Sequence, residues 1–280
     1  MFTDVNEKHW IFNSLLRMVK LGRVSGFPDG TFQPEKAITR AEYVAGEDKE
    51  YRNRFNIIAK IKKAVCVISG PGGTGSGFLV DPETIITNVH VALVGYTGDK
   101  VDALTIDFLD GTRILPKNIK VPWGDGARDC AVLKIPPVKI EPLEMVTPAP
   151  GEDVYTIGCP VGLVSSVSKG IISHDARFTK VYDEMVQWLQ VDAAVNPGNS
   201  GGALVNIFGQ VVGMPTWKKF YTGETPPRPL EGLNFCLHYK EIMSVLQEAG
   251  KINLQEIDTR NVILNMRKHE EKFKVEGGLI

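Results

Sequence analysis

Apolar residues along this chain fall into short runs separated by turn chemistry. Ala64-Val65-Cys66-Val67-Ile68, Gly77-Phe78-Leu79-Val80, Thr84-Ile85-Ile86-Thr87, Ala131-Val132-Leu133-Lys134-Ile135, Val154-Tyr155-Thr156-Ile157 and Gln210-Val211-Val212-Gly213-Met214 are of β type, and glycine, proline or aspartate punctuates most of them. Many short strands at close spacing predict a mainly β body, a sandwich or a barrel, over residues 55–250. Nearer the N-terminus the period changes. Trp10, Ile11, Leu15, Leu16, Val19 and Leu21 recur at near-helical spacing, Pro28-Asp29-Gly30 is a turn signal, and a second helix is expected near Ile38–Glu42. There Thr39 stands three residues before Glu42, the spacing of a capping box. The charged stretch Gly46-Glu47-Asp48-Lys49-Glu50 marks a boundary, so residues 1–48 are expected to form a small helical module. Residues 251–280 are polar, with the charged run Met266–Lys272, and predict a solvated helical tail without chemistry of its own.

Composition narrows the class. Of 280 residues, 43% are apolar and 23% charged, which excludes a disordered or collagen-like chain. The 32 basic side chains against 33 acidic ones leave a net charge of −1, so nothing favours nucleic acid as a partner. Ala193–Trp217 is uncharged for 25 positions, long enough to cross a bilayer, yet it holds five glycines, two prolines and three asparagines. That is turn chemistry, so no membrane span is expected. The first eight residues, Met1–Lys8, lack the basic and apolar regions of a signal peptide. Cys66, Cys130, Cys159 and Cys236 stand singly in apolar runs, which fits buried thiols rather than disulfides or a metal site. No metal and no cofactor is called for.

The sharpest local signal is Asn196-Pro197-Gly198-Asn199-Ser200-Gly201-Gly202-Ala203-Leu204. A serine between glycines can sit on a tight turn with its hydroxyl free, and the glycines let backbone N–H groups converge on one point. Taken alone, such a run is usually only a turn. A serine hydroxyl needs a base to become a nucleophile, and the chain has five histidines. Of these, His90 closes the run Ile85-Ile86-Thr87-Asn88-Val89-His90 just past a strand. A third group must hold the imidazole in one tautomer. Asp129 stands at the mouth of the apolar run that follows it, and Asp125 competes with it on composition.

Taken in order, Thr74-Gly75-Ser76-Gly77-Phe78, Thr87-Asn88-Val89-His90-Val91, Asp129-Cys130-Ala131-Val132-Leu133-Lys134 and Asp192-Ala193-Ala194-Val195-Asn196-Pro197-Gly198-Asn199-Ser200-Gly201-Gly202 resemble the trypsin-like serine proteases of the HtrA/Deg type. The resemblance implies a chymotrypsin-like double β-barrel. It also implies a His90–Asp129–Ser200 triad and an oxyanion hole from the amides of Gly198 and Ser200. It aligns Thr216-Trp217-Lys218 with the strand that pairs a substrate backbone. Where trypsin-type enzymes carry an aspartate six residues before the nucleophile, this chain has Ala194, which implies an uncharged primary pocket. Cys130 replaces a small alanine-like residue, a tolerable exchange. About 30 residues follow position 250, too few for the PDZ module that such enzymes commonly carry.

A second resemblance lies in residues 1–44. Phe2-Thr3-Asp4-Val5, His9-Trp10, Gly26-Phe27-Pro28-Asp29-Gly30-Thr31-Phe32-Gln33-Pro34 and Ile38-Thr39-Arg40-Ala41-Glu42 are similar to one S-layer homology (SLH) repeat. Such modules bind anionic cell-wall polysaccharide in bacteria, and the resemblance gives Arg40 the sugar contact, a guanidinium fork suiting a carboxylate. They usually work in threes; one repeat is present, and trimerisation would restore avidity. The reading that follows is a serine endopeptidase acting on extended polypeptide segments and held at the cell surface or wall. The alternatives are a surface-attachment protein that uses the protease fold as a scaffold, or an intracellular or phage-borne protease, which the missing export signal would suit.

Overall fold

The structure is a computed structural model. It describes residues 3, 29–33, 54–98, 100–159, 166–181, 184–221, 228–251 and 278–279. The chain divides into two compact units, Met1–Ala59 and Lys60–Ile280. In the first, the expected turn is present: Asp29 Oδ1 accepts the N–H and the hydroxyl of Thr31 at 2.9 and 2.7 Å, Gly30 takes φ +82°, and Thr3 N donates to Gly30 O at 3.1 Å. The two expected helices of this unit, and Arg40, lie outside the described residues.

The second unit is mainly β and holds two seven-stranded antiparallel sheets. The first contains β1 (Val65–Gly70), β2 (Gly73–Asp81), β3 (Thr84–Thr87), β4 (Thr105–Phe108), β5 (Arg113–Ile114), β6 (Lys120–Asp125) and β7 (Cys130–Lys134), in the order β5-β4-β1-β2-β3-β7-β6. Two-residue turns set its register. Pro71-Gly72 joins the pair Gly70 and Gly73, and Pro82-Glu83 joins Asp81 and Thr84, with Asp81 Oδ1 accepting Glu83 N at 2.8 Å. Phe78, Ile85, Ile86, Ile106, Val132 and Leu133 are buried in this half.

The second sheet contains β8 (Asp153–Gly158), β9 (Ser166–Val181), β10 (Glu184–Val191), β11 (Ala203–Asn206), β12 (Val211–Tyr221), β13 (Arg228–His238) and β14 (Gly278–Leu279). Its order is β11-β8-β9-β10-β13-β12-β14, and an additional β11–β12 pairing closes the first six of those strands into a barrel. Val154, Ile172, Leu189, Val191, Leu204, Val212 and Cys236 form its core. The uncharged stretch that could be mistaken for a membrane segment becomes β11, β12 and the turns around them. Among the described residues no helix is long and apolar enough to cross a membrane. All four cysteines are buried thiols outside any disulfide.

Helices flank the sheets. One whose described part covers residues 54–64 leads into β1, and another, Tyr239–Gly250, packs on β6 and β7 of the first sheet and on β12 and β13 of the second. Of the tail expected to be helical, only Lys251, Gly278 and Leu279 are described, and the last two are a strand rather than a helix.

Candidate active site

Register brings the first two candidates together. Thr87 at the end of β3 pairs with Ala131 near the start of β7, so the segment after β3 meets the one before β7. His90 lies on the short helix Val89–Ala92, and Asp129 ends the turn between β6 and β7. Asp129 is fully buried and takes φ +48°, a left-handed conformation that aspartate tolerates better than most residues. It is held at several points. His90 N donates to its Oδ1 at 3.1 Å, and its own carbonyl accepts from Val89 N at 3.3 Å and from Asn88 Nδ2 at 2.8 Å. Its Oδ2 lies 2.6 Å from His90 Nδ1. That contact assigns the proton on the ring to Nδ1 and turns Nε2 outward as an acceptor. Nε2 is buried and has no hydrogen-bond partner among the described residues.

Asp125 does not compete for this role. Its carboxylate binds Arg128 Nη1 at 2.6 Å and accepts Arg128 N at 3.0 Å. Arg128 also pairs with Glu241 through Nε at 2.7 Å and with Glu184. Burial opposes the charge, yet the carboxylates of Asp125 and Glu241 push the guanidinium titration well above its ordinary value. The residue before Asp129 is thereby tied to β6, β10 and the helix Tyr239–Gly250.

Ser200 is buried on the turn between β10 and β11. Gly198 takes φ +97° and Gly201 φ +77°, as the tight turn requires. A Cβ on Gly201 would overlap Ser76 O and Thr87 Oγ1. Ser76 pins this turn from the first sheet. Its hydroxyl donates to Gly198 O at 2.6 Å and accepts Cys159 N at 2.9 Å, while its N–H donates to Ser200 O at 2.9 Å. Thr87 Oγ1 then donates to Ser76 O at 2.6 Å. Asn199 N is spent on Asn196 O at 2.9 Å, and it lies between the two amides assigned to the oxyanion hole, those of Gly198 and Ser200.

On the remaining side stands β12. Thr216 is buried, and its hydroxyl accepts Asn88 Nδ2 at 3.2 Å and donates to Met214 O at 2.9 Å, so its side chain serves the scaffold. Trp217 stacks on Phe235 at 4.0 Å and meets Trp188 edge-on at 5.8 Å. Lys218 Nζ reaches Asn196 Oδ1 at 3.4 Å, and burial pushes its titration down. Ala194 is exposed between the buried Ala193 and Val195, and its carbonyl accepts Thr156 Oγ1 at 3.3 Å. Ser76, Thr87 and Asn88 stand inside the sequence motifs with nothing local to mark their roles, and no local pattern marks Arg128 and Glu241, whose partnership spans 113 positions. Among the described residues no cluster of His, Cys, Asp and Glu could hold a metal ion.

Comparison with known proteins bears on this geometry. The family model of the trypsin-like peptidase domain matches residues 75–214, and that of the S-layer homology domain matches residues 2–44. The serine protease Do-like HtrA of Lactobacillus helveticus is 33% identical over 207 residues, 70% of this chain and 48% of the relative. The serine endoprotease DegS of Salmonella typhimurium is 35% identical over 190 residues, 64% of this chain and 49% of the relative. Among solved structures, the HtrA-type protease AlgW with tripeptide superposes with a TM-score of 0.60 at 25% identity, covering 71% of this chain and 64% of that one. The serine endoprotease from Yersinia pestis gives 0.55 at 28% identity, covering 70% and 66%. The chain spans about a third to a half of the length of the curated relatives it matches. Its fold, the order of its motifs and these matches together place the chain in the trypsin-like peptidase family, among proteins of HtrA type, with an S-layer homology domain ahead of the peptidase domain.

Proposed function

We propose that the protein is a serine endopeptidase that cleaves extended polypeptide segments through His90, Asp129 and Ser200. The observation that carries this reading is the 2.6 Å contact between Asp129 Oδ2 and His90 Nδ1, which leaves a buried and unpartnered Nε2 to take a proton. Ser200 Oγ attacks the substrate carbonyl as Nε2 removes its proton. Asp129 stays ionised and stabilises the imidazolium. The amides of Gly198 and Ser200 receive the negative charge on the carbonyl oxygen, His90 returns its proton to the leaving amine, and water releases the acyl group by the same steps. Cleavage follows small or medium apolar residues such as Val, Ala or Leu, because Ala194 offers no charge to a basic side chain. A peptide library in which Arg or Lys dominated the cleavage position would contradict that preference.

The test of the triad is kinetic. Ser200→Ala or His90→Ala should lower turnover of unfolded casein on the order of 10⁴-fold, with the circular dichroism spectrum unchanged. Casein cleavage at the parent rate by Ser200→Ala would refute the assignment. For the N-terminal domain we infer binding to an acidic wall polysaccharide through Arg40, supported by the SLH match over residues 2–44.

A further inference from the structure

One edge of β12 is taken by β13 along nearly its whole length, from Gly213 against His238 to Tyr221 against Arg228. The other edge is shared. β11 covers its first part, with Val205 against Val211 and Leu204 against Gly213. Next, Pro215 O accepts Gly201 N at 3.2 Å from the turn that carries Ser200. Past that point the edge does not stay open. Gly278–Leu279 lies along it as an antiparallel strand, Leu279 against Trp217 and Gly278 against Lys218. These are two of the three positions that the sequence reading assigned to the substrate backbone.

We propose that the segment at Gly278–Leu279 is a tethered ligand of the substrate edge, competing with substrate for β12. The proposal rests on the protease reading above. Its first support is polarity. An antiparallel strand that passes Lys218 and then Trp217 runs toward Pro215 and the Ser200 turn, so continued in register it carries its next carbonyl toward the nucleophile. A peptide presenting a scissile bond to Ser200 from this edge needs that same direction. Sequence is the second support. Gly277-Gly278-Leu279-Ile280 is uncharged and ends in branched apolar residues, the class expected beside Ala194, whereas Met266–Glu276 is densely charged. Gly278 also sets no side chain beside Lys218. The third support is reach. Twenty-six residues separate Lys251 from Gly278, enough chain to hold the segment near the edge at an effective concentration of order millimolar.

The experiment compares the full chain with one ending at Gly277 and with the full-length Leu279→Pro variant, whose proline cannot donate to a strand ladder. For a fluorogenic extended peptide, both altered chains should show KM lower by about 10-fold at unchanged kcat, as removal of an intramolecular competitor requires. The free peptide spanning Val275–Ile280 should inhibit the shortened chain competitively and the full chain far less. Labelled at its N-terminus, it should bind the shortened chain carrying Ser200→Ala better than a scrambled peptide does. Equal KM in all three chains, or no preference over the scrambled peptide, overturns the proposal. A KM difference that grows with protein concentration assigns the strand to a second copy and overturns intramolecular pairing. A fluorophosphonate probe, too small to need the strand edge, separates the two readings. Labelling of Ser200 with unchanged KM sinks the tether alone, and no labelling in any folded chain sinks the protease reading and the tether with it.

Discussion

At the scale of single residues, the turn that carries Ser200 is held by a side chain from the other sheet. Ser76 spends its hydroxyl on Gly198 O and Cys159 N and its amide on Ser200 O. Ser76→Ala would leave Gly198 O with a 3.3 Å bond from Cys159 N in place of the 2.6 Å bond from the hydroxyl. A buried hydrogen bond lost in this way costs about 1–3 kcal/mol. The variant is therefore expected to unfold at lower denaturant and to lose kcat with little change in KM, since the turn that orients Ser200 loosens while the substrate edge stays. Denaturation midpoints and steady-state kinetics check both halves. Parent kcat in the variant would show that the turn is rigid without Ser76. Asp129 and Asp125 teach a related lesson. On composition they were equal candidates, and the difference lies in Arg128, which draws Asp125 away from the imidazole.

At the scale of elements, the helix Tyr239–Gly250 is held by a cap at its N-terminus and by the Arg128–Glu241 ion pair in its first turn. His238 caps it, with Nδ1 accepting Lys240 N at 3.1 Å. Burial, with the Lys240 charge as a second cause and Asp175 opposing, pushes the titration of His238 from 6.5 down to about 4. In the unfolded chain a histidine titrates near its ordinary value, so between these limits the unfolded state binds a proton that the folded state refuses. Stability therefore falls as pH drops from about 6.5 to 4, by about 3 kcal/mol in total from this group. His238→Asn keeps a capping acceptor and removes the titration. Its unfolding free energy should be flatter across that pH window than the parent's, and an identical slope would assign the acid sensitivity elsewhere.

Arg128 ties the same helix to the turn that carries Asp129. Arg128→Met strands the largely buried carboxylates of Asp125 and Glu241, a cost of about 2–3 kcal/mol, below that of a fully buried pair. It should also lower kcat, because Asp129 follows directly in the chain. Adding Glu241→Gln should recover part of the lost stability, and strictly additive losses would argue against coupling.

At the scale of the whole molecule, the two compact units meet in the chain between Ala59 and Lys60, and every proposed triad residue lies in the second. Removing residues 1–48 should leave casein hydrolysis near the parent rate while abolishing retention on wall sacculi. Arg40→Ala should weaken that retention by about 1.5–3 kcal/mol, the cost of one charge-assisted bidentate contact at a partly desolvated site. A single repeat binds without avidity, so retention should be weak for a monomer. Equal retention by the full chain, the variant and the protease portion alone would exclude wall anchoring by this domain.

Local chemistry made much of the fold legible. Short apolar runs bounded by Pro-Gly, Pro-Glu and Asp-Gly turns announced β1, β2, β3, β7 and β8, because alternation and turn propensity act over a few residues. Less local strands escaped. β9 runs from Ser166 to Val181 with a largely polar, half-exposed pattern, and only its pairing with β8 and β10 makes it a strand. The candidate triad could be named in chain order because its motifs surround each residue. What tertiary structure alone decided are the partnerships across long separations: Ser76 with Gly198, Arg128 with Glu241, and Trp217 with Leu279. No periodicity encodes these, since each depends on where a sheet register or a barrel closure brings distant backbone together. Gly278–Leu279, in a tail that reads as a polar helix from composition, is a strand because β12 offers an edge whose N–H and C=O groups a second backbone can pair.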